Sequence, residues 1–235
     1  MIDHDRQPEL WVCRLGTVDY LHALALQEQV RAARQAGVVP DTLLLLEHPR
    51  VYTRGRRSAP GELSLGEDFY RAQGIEIVEV NRGGKITYHG PGQLVGYPIV
   101  AVDDVVEYVR TLERTLVAAL AQEGVAARAR PEDGPDYTGV WVQDRKIASI
   151  GVHVQRGVTT HGFAVNVDND LTPFEWVVAC GLPGVTMTSL AVETSRPAPC
   201  FSKRAAFALA TALGRRQRLV SPARLQAAIS TPVPA

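Results

Sequence analysis

A chain of 235 residues that is 46% hydrophobic can bury one sizeable core, so a single domain over 1–235 is expected. Lys plus Arg and Asp plus Glu both number 25, which leaves no basic excess of the kind that nucleic-acid binding needs. Apolar runs are short, such as the LLLL of 43–46, and the charged start MIDHDRQPEL lacks a signal-peptide pattern. No membrane span is expected, and the expectation is a monomeric protein of the cytoplasm.

In chain order, LWVCRLG (10–16) reads as a strand. A helix follows from Asp19 to Gln35, stopped by Gly37. TLLLLEHP (42–49) is a continuous apolar run closed by proline, the pattern of a strand buried on both faces. VYTRGRRSAPGEL reads as loop, and Phe69 to Gln73 as a short helix. IEIVEV (75–80) alternates as a strand, and LVGYPIV (94–100) is the next one. Asp103 to Glu123 is the clearest helix, with an aspartate cap and a stripe of Val105, Val106, Val109, Leu112, Leu116 and Leu120. TGVWVQDRKIASIGVHVQRGVTTHGFAVNVD reads as three strands turning near Gln143–Asp144 and Arg156–Gly157. An irregular segment precedes a helix from Ser202, its expected cap, to Leu213. A short helix and a flexible tail close the chain, leaving a core of about 10–219. The mixture of helices with hairpins predicts an α+β domain, a mixed sheet with helices packed on it.

Three cysteines at wide spacing, Cys13, Cys180 and Cys200, make neither a disulfide framework nor a metal pair. Cys13 is mid-strand and reads as packing, and Cys200 sits in a linker-like RPAPC. Cys180 stands before a Gly-Leu-Pro-Gly turn, where a thiol can be exposed. A nucleophilic thiol needs a base or a cation beside it, and His48, His89, His153, His161 and Lys146 are available. Strict alternation sets Ile147, Ser149, Gly151 and His153 on one face of their strand and Lys146, Ala148 and Ile150 on the other. A lone strand lysine is ordinarily a solvated edge charge. Small residues such as Ser149, Gly151 and Gly162 mark close approach by a ligand. RGGKITYHGPGQ (82–93) is either an irregular connector or a binding loop.

RGGKITYHGPGQLVGYPI, DRKIASIGVHV, THGFAVNV and ACGLPGVTMTSL, in this order and spacing, resemble the lipoyl(octanoyl) transferase family of the biotin/lipoate protein ligase superfamily. The resemblance covers roughly 10–215. It implies a biotin/lipoate protein ligase-like catalytic domain that takes an octanoyl group from octanoyl-acyl carrier protein. The acceptor it implies is the ε-amine of one lysine, on lipoyl domains of 2-oxoacid dehydrogenase acyltransferase subunits or on the glycine cleavage H protein. Cys180 resembles the acyl-thioester nucleophile and Lys146 its partner. Arg82, Gly83, Gly84, Lys85, Ile86, Thr87, Tyr88 and His89, with Ser149, Ile150 and Gly151 and with Gly162, Phe163 and Ala164, match the family's acyl contacts. Lys85 and Ile86 are expected only to line the loop, and Gly151, Gly162 and Ala164 to clear room for the acyl chain. No cofactor or metal is implied. Three rivals are an ATP-dependent lipoate or biotin ligase on the same fold, an inactive acyl-protein binding module, and a cysteine hydrolase with His89 or His161 as base. Arg54, Arg56 and Arg57 read as a solvated loop, with an acidic carrier protein as the alternative partner.

Overall fold

The computed structural model describes residues 8–59, 61–177 and 184–230. Its elements are β1 (Glu9–Thr17), α1 (Tyr20–Gln35), β2 (Asp41–Glu47), β3 (Val51–Arg54), α2 (Glu67–Ala72), β4 (Glu76–Glu79), β5 (Thr87–His89), β6 (Gln93–Ile99), α3 (Val105–Ala121), β7 (Gly139–Val142), β8 (Arg145–Gln155), β9 (Val158–Asn166), α4 (Thr172–Glu175), β10 (Thr186–Met187), α5 (Leu190–Thr194), α6 (Phe201–Ala212), β11 (Arg216–Val220) and α7 (Pro222–Ile229). Among these residues, an eight-stranded mixed sheet runs β10-β8-β9-β6-β2-β1-β11, with β7 also paired to β8; a three-stranded sheet runs β4-β3-β5. The expected α+β domain is what forms. No helix among the described residues is long and apolar enough to cross a membrane.

Alternation along β1 and β2 builds the layers. Leu10, Val12, Leu43 and Leu45 point to one face, where they pack with Leu112, Leu116 and Leu120 of α3 and with Phe201 and Leu209 of α6. Trp11, Cys13, Leu44 and Leu46 point to the other, against Ala23 and Val30 of α1 and Leu225 of α7. The LLLL run is therefore buried on both faces, and each leucine so covered contributes about 1.5–3 kcal/mol. Caps set the two long helices in register: Asp19 accepts from His22 N at 3.1 Å, and Asp104 accepts from Val106 N at 2.8 Å and Glu107 N at 3.1 Å.

Several local expectations are corrected. VYTR is a strand, β3, and the glycine-rich loop contains another, β5; each is too short to show a period and is held by pairing with the other. Helix α6 begins at Phe201 with Cys200 at the cap, so Ser202 lies inside its first turn. Docking of the buried Phe201 side chain sets that start. The ordered core also runs past 219, because β11 pairs in parallel with β1 and Leu225 of α7 is buried.

The β7–β8 hairpin is irregular. Val140 faces Ala148 but Trp141 faces Lys146, so Ile147 is an extra residue on β8. Such a bulge re-aims the side chains on one side of it.

Gly96 of β6 faces Phe163 of β9, and a Cβ at Gly96 would lie 2.2 Å from the Phe163 Cζ. Gly96→Ala is expected to destabilise the domain by about 1–3 kcal/mol, read as a lower urea midpoint with an unchanged m value.

Candidate active site

The glycine-rich loop lies on β8 as bare backbone. Gly83 N donates to Val152 O at 3.0 Å. On its other side the loop accepts from the segment after β3: Arg56 N donates to Arg82 O at 3.0 Å and Arg57 N to Gly84 O at 3.1 Å. Arg82 turns inward and is buried. Its Nη2 donates to Thr53 O and Thr53 Oγ1, each at 2.7 Å, and its Nη1 donates to Gly83 O at 3.0 Å. The fork of the guanidinium thus ties the loop to β3, a geometry a lysine does not offer.

Loop and sheet enclose a pocket of about 410 Å³, within the range of small-molecule sites. One wall is the loop, with Arg82, Gly83, Gly84, Lys85, Ile86, Thr87 and His89. The facing wall is Lys146, Ser149, Ile150 and Gly151 of β8 and Gly162, Phe163 and Ala164 of β9. The pocket therefore gathers the residues of three separated motifs. Tyr88 is the exception. Its neighbours on β5 face the pocket, while its own ring points to the opposite side and packs on Tyr52 and Phe174. Side chains alternate along β5, and a three-residue strand inside a glycine-rich loop gives no sequence sign of that alternation.

The two glycines of the facing wall also serve close packing. A Cβ at Gly151 would lie 2.9 Å from Gly83 O, and one at Gly162 would lie 2.4 Å from Gly96 O and 2.5 Å from Pro98 Cδ. Both are bare where neighbouring main chain and Pro98 approach, and both also line the pocket.

Lys146 is 2% exposed, so it is not a solvated edge charge. The bulge at Ile147 brings it to the pocket wall that Ser149 and Gly151 line, against the strict alternation of the sequence. Its ammonium sits 5.2 Å from the centre of the Trp141 ring, a cation–π distance. Beyond the expected residues, Tyr20, Tyr97, Val105, Val106, Val109, Arg110, Pro135, Asp136 and Thr138 also line the pocket. Tyr97 falls inside the first motif and the three valines in the apolar stripe of α3, and nothing in a single sequence marks the rest for the pocket. At the mouth, Asp136 pairs with Arg57 at 3.0 Å and with Lys85 at 3.4 Å. Arg54 pairs instead with Glu67 and Glu79.

The opposite end is a cluster of aromatic and imidazole rings: Tyr20 to His48 is 4.9 Å between centroids, His48 to His89 is 5.5 Å and Tyr97 to His161 is 6.2 Å. His48 Nδ1–H donates to Val18 O at 2.7 Å, so its Nε2 accepts from the Tyr97 hydroxyl, also at 2.7 Å. The His89 tautomer follows from a chain of bonds. Asn166 Nδ2 donates to Thr188 O at 3.0 Å, its Oδ1 accepts from Gln93 Nε2 at 2.9 Å, and Gln93 Oε1 then accepts from His89 Nδ1 at 2.7 Å. The lone pair of His89 is on Nε2. Burial, reinforced by nearby His48, holds His89 well below the usual histidine range. Burial lowers His48 to about 4, and burial with Arg82 nearby lowers His161 to about 3. All three are neutral near pH 7 and poorly matched to general-base work there, which weighs against the hydrolase rival. His153 is partly exposed beside Asn81 and does not line the pocket.

Cys13 is fully buried, and desolvation pushes its thiol up to about 11, an inert packing group. Cys200 is exposed at the start of α6 and does not line the pocket. Cys180 lies outside the described residues.

The family description "Lipoyl protein ligase A/B catalytic domain" matches residues 19–209. The octanoyltransferase of Solibacter usitatus is 48% identical over 188 residues, covering 77% of this chain and 84% of that protein. That of Mycobacterium avium is 49% identical over 196 residues, covering 79% and 78%. Among solved structures, a putative lipoate protein ligase from T. acidophilum with bound lipoic acid superimposes with a TM-score of 0.77 at 19% identity, over 94% of this chain and 93% of that one. A lipoate-protein ligase A bound with ATP gives 0.73 at 17%, over 94% and 92%. At these identities the structural likeness speaks to fold alone.

The buried histidines make stability depend on pH. Unfolded, they titrate near 6.5; folded, His48 does so near 4 and His161 near 3. The unfolded chain binds more protons in between, so their contribution is complete above 6.5 and is lost as pH falls towards 3–4. Unfolding free energy in urea is expected to drop between pH 7 and pH 5, by roughly 2 kcal/mol for each such histidine. A value unchanged over that interval would contradict neutral burial.

Proposed function

This chain belongs to the lipoyl protein ligase A/B catalytic family, and we propose that it is an acyltransferase that moves an octanoyl group through a thioester on Cys180. The donor in this reading is octanoyl-acyl carrier protein. The acceptor is a lysine ε-amine on lipoyl domains of 2-oxoacid dehydrogenase acyltransferase subunits or on the glycine cleavage H protein. The supporting observation is a buried amine, Lys146, in the wall of a pocket sized for a short acyl chain and built from three separated motifs. Octanoyltransferase relatives covering more than three quarters of the chain supply the acyl group. An octanoyl tail leaving water gains about 0.8 kcal/mol per methylene, and pocket residues such as Ile150, Phe163 and Ala164 offer apolar cover.

The chemistry closes in two steps. The Cys180 thiolate, stabilised by the Lys146 ammonium, attacks the donor thioester carbonyl. A new C–S bond forms, the donor's C–S bond breaks, and the departing thiolate takes a proton from Lys146. Neutral Lys146 then accepts a proton from the acceptor amine as its nitrogen attacks the acyl-enzyme. The C–N bond forms, the enzyme C–S bond breaks, and thiolate and ammonium are restored. The first exchange is close to balanced, thioester for thioester; the second makes an amide and runs downhill. Chain connectivity is compatible with this pairing. Cys180 is four residues from Gly184, a reach of at most about 14 Å, and Met187 of the same segment pairs with Lys146 in the sheet.

Intact-mass measurement after incubation with octanoyl-acyl carrier protein, without nucleotide, is expected to show one octanoyl adduct. Hydroxylamine should release it, and Cys180→Ser should not form it. Activity that requires ATP and free octanoate, and survives Cys180→Ser, would establish the ligase rival instead.

Lys146→Ala is expected to slow iodoacetamide alkylation of Cys180 near neutral pH by about tenfold or more, since the thiolate is the reacting form. An unchanged rate would argue against the thiolate–ammonium pair.

A further inference from the structure

Lys146 reaches the pocket across a residue with no side chain. Gly139, the first residue of β7, has φ +138°; a Cβ there would lie 2.7 Å from Lys146 Cε, 3.3 Å from its Nζ and 2.4 Å from Ala148 O. The lysine therefore lies directly on the Gly139 backbone. That backbone is held from the helix side. Glu113 Oε1 accepts from Gly139 N at 3.0 Å, and Glu113 Oε2 accepts from Arg110 Nη1 at 2.6 Å.

Glu113 is out of place by the logic of an amphipathic helix. Spacing of three and four residues puts it on the stripe of Val109, Leu112 and Leu116, and it is 1% exposed. A carboxylate buried among apolar side chains costs stability unless it is fully paired. Both of its partners lie at the same wall: Arg110 lines the pocket, and Gly139 lies under Lys146.

We infer that Glu113, acting with Arg110, is the positioning residue for Lys146: it clamps the peptide on which the lysine rests and balances the α3 cation that lines the pocket. This rests on Lys146 being the partner of Cys180. The roles separate by charge. Glu113→Gln keeps an oxygen for Gly139 N–H but leaves Arg110 uncompensated, and a second cation nearby disfavours the ammonium form of Lys146. Arg110→Met leaves the carboxylate alone and favours that form. The other charges on the pocket, Arg57, Lys85, Asp136 and Arg82, are untouched by either change, and His89 and His161 stay neutral over the range tested.

The test is the pH dependence of single-turnover transfer from octanoyl-enzyme to an acceptor lipoyl domain, from pH 5.5 to 9.5. In Glu113→Gln the rise of rate with pH should move to lower pH, and in Arg110→Met to higher pH, each on the order of one unit. Glu113→Ala, which also removes the clamp, should lower the maximal rate by about 100-fold with little change in the KM for the donor. Thermal melting confirms that Glu113→Gln and Arg110→Met are folded; their two profiles decide the matter even where Glu113→Ala is not. Profiles that stay put, or move in the same direction, in folded variants would overturn the inference. Lys146→Ala, assayed alongside, separates this from the reading beneath it. If that variant fails to transfer while the other two are unshifted, the positioning role alone falls. If it transfers normally, the role of Lys146 falls first.

Discussion

Two backbones lying against each other, with nothing between them, are the constraint on which the pocket depends. The Gly83 amide bonds directly to Val152 O, and the missing side chain of Gly151 is what allows that approach. From there the loop is tied through Arg82 to Thr53, and so to the small sheet. The pocket is the space left where the three-stranded sheet is fastened onto the large one. A methyl group at Gly151 would press on a carbonyl oxygen that the Arg82 fork holds in place. The accommodation would have to come from backbone, where it is costly.

The two ends of this space are electrostatically unlike. At one, a buried lysine sits over an indole ring beside the Arg110–Glu113 pair. At the other, three imidazoles are kept neutral by burial, which outweighs the bonds from His48 to Val18 O and from His89 to Gln93 that favour protonation. The acyl-enzyme proposed above would benefit from this division. In the proposed reaction proton transfer falls to the lysine end, and the imidazoles are poor bases for activating water at neutral pH, so fewer routes lead to hydrolysis.

Much of the architecture is legible in the sequence because it is written in periods. The alternating faces of β1 and β2, the capped stripe of α3 and the hairpins of β7 to β9 all follow from spacing of two or of three to four. Of the small sheet only β4 is legible, since β3 and β5 are too short for a period and draw their order from pairing. That one omission misplaces Tyr88. At the site, the motifs name the two facing walls of the pocket, because those segments carry the unusual residues. Tyr20 and Glu113 do not stand out, for they sit in elements whose pattern is ordinary, and only the fold brings them to the pocket wall or beneath it. Gly151 and Gly162 stand out because small residues signal close approach, and the protein's own chain approaches both of them.

The bulge at Ile147 carries a consequence for how this enzyme tolerates change. A strand has only two faces, so one residue gained or lost between the β7–β8 turn and Ile147 would exchange them for everything on the turn side. Cross-strand pairing is made by backbone and would survive such a slip. Lys146 would be carried away from the pocket it lines and towards the apolar side of the strand. Length in this hairpin is thus under a tighter rule than composition.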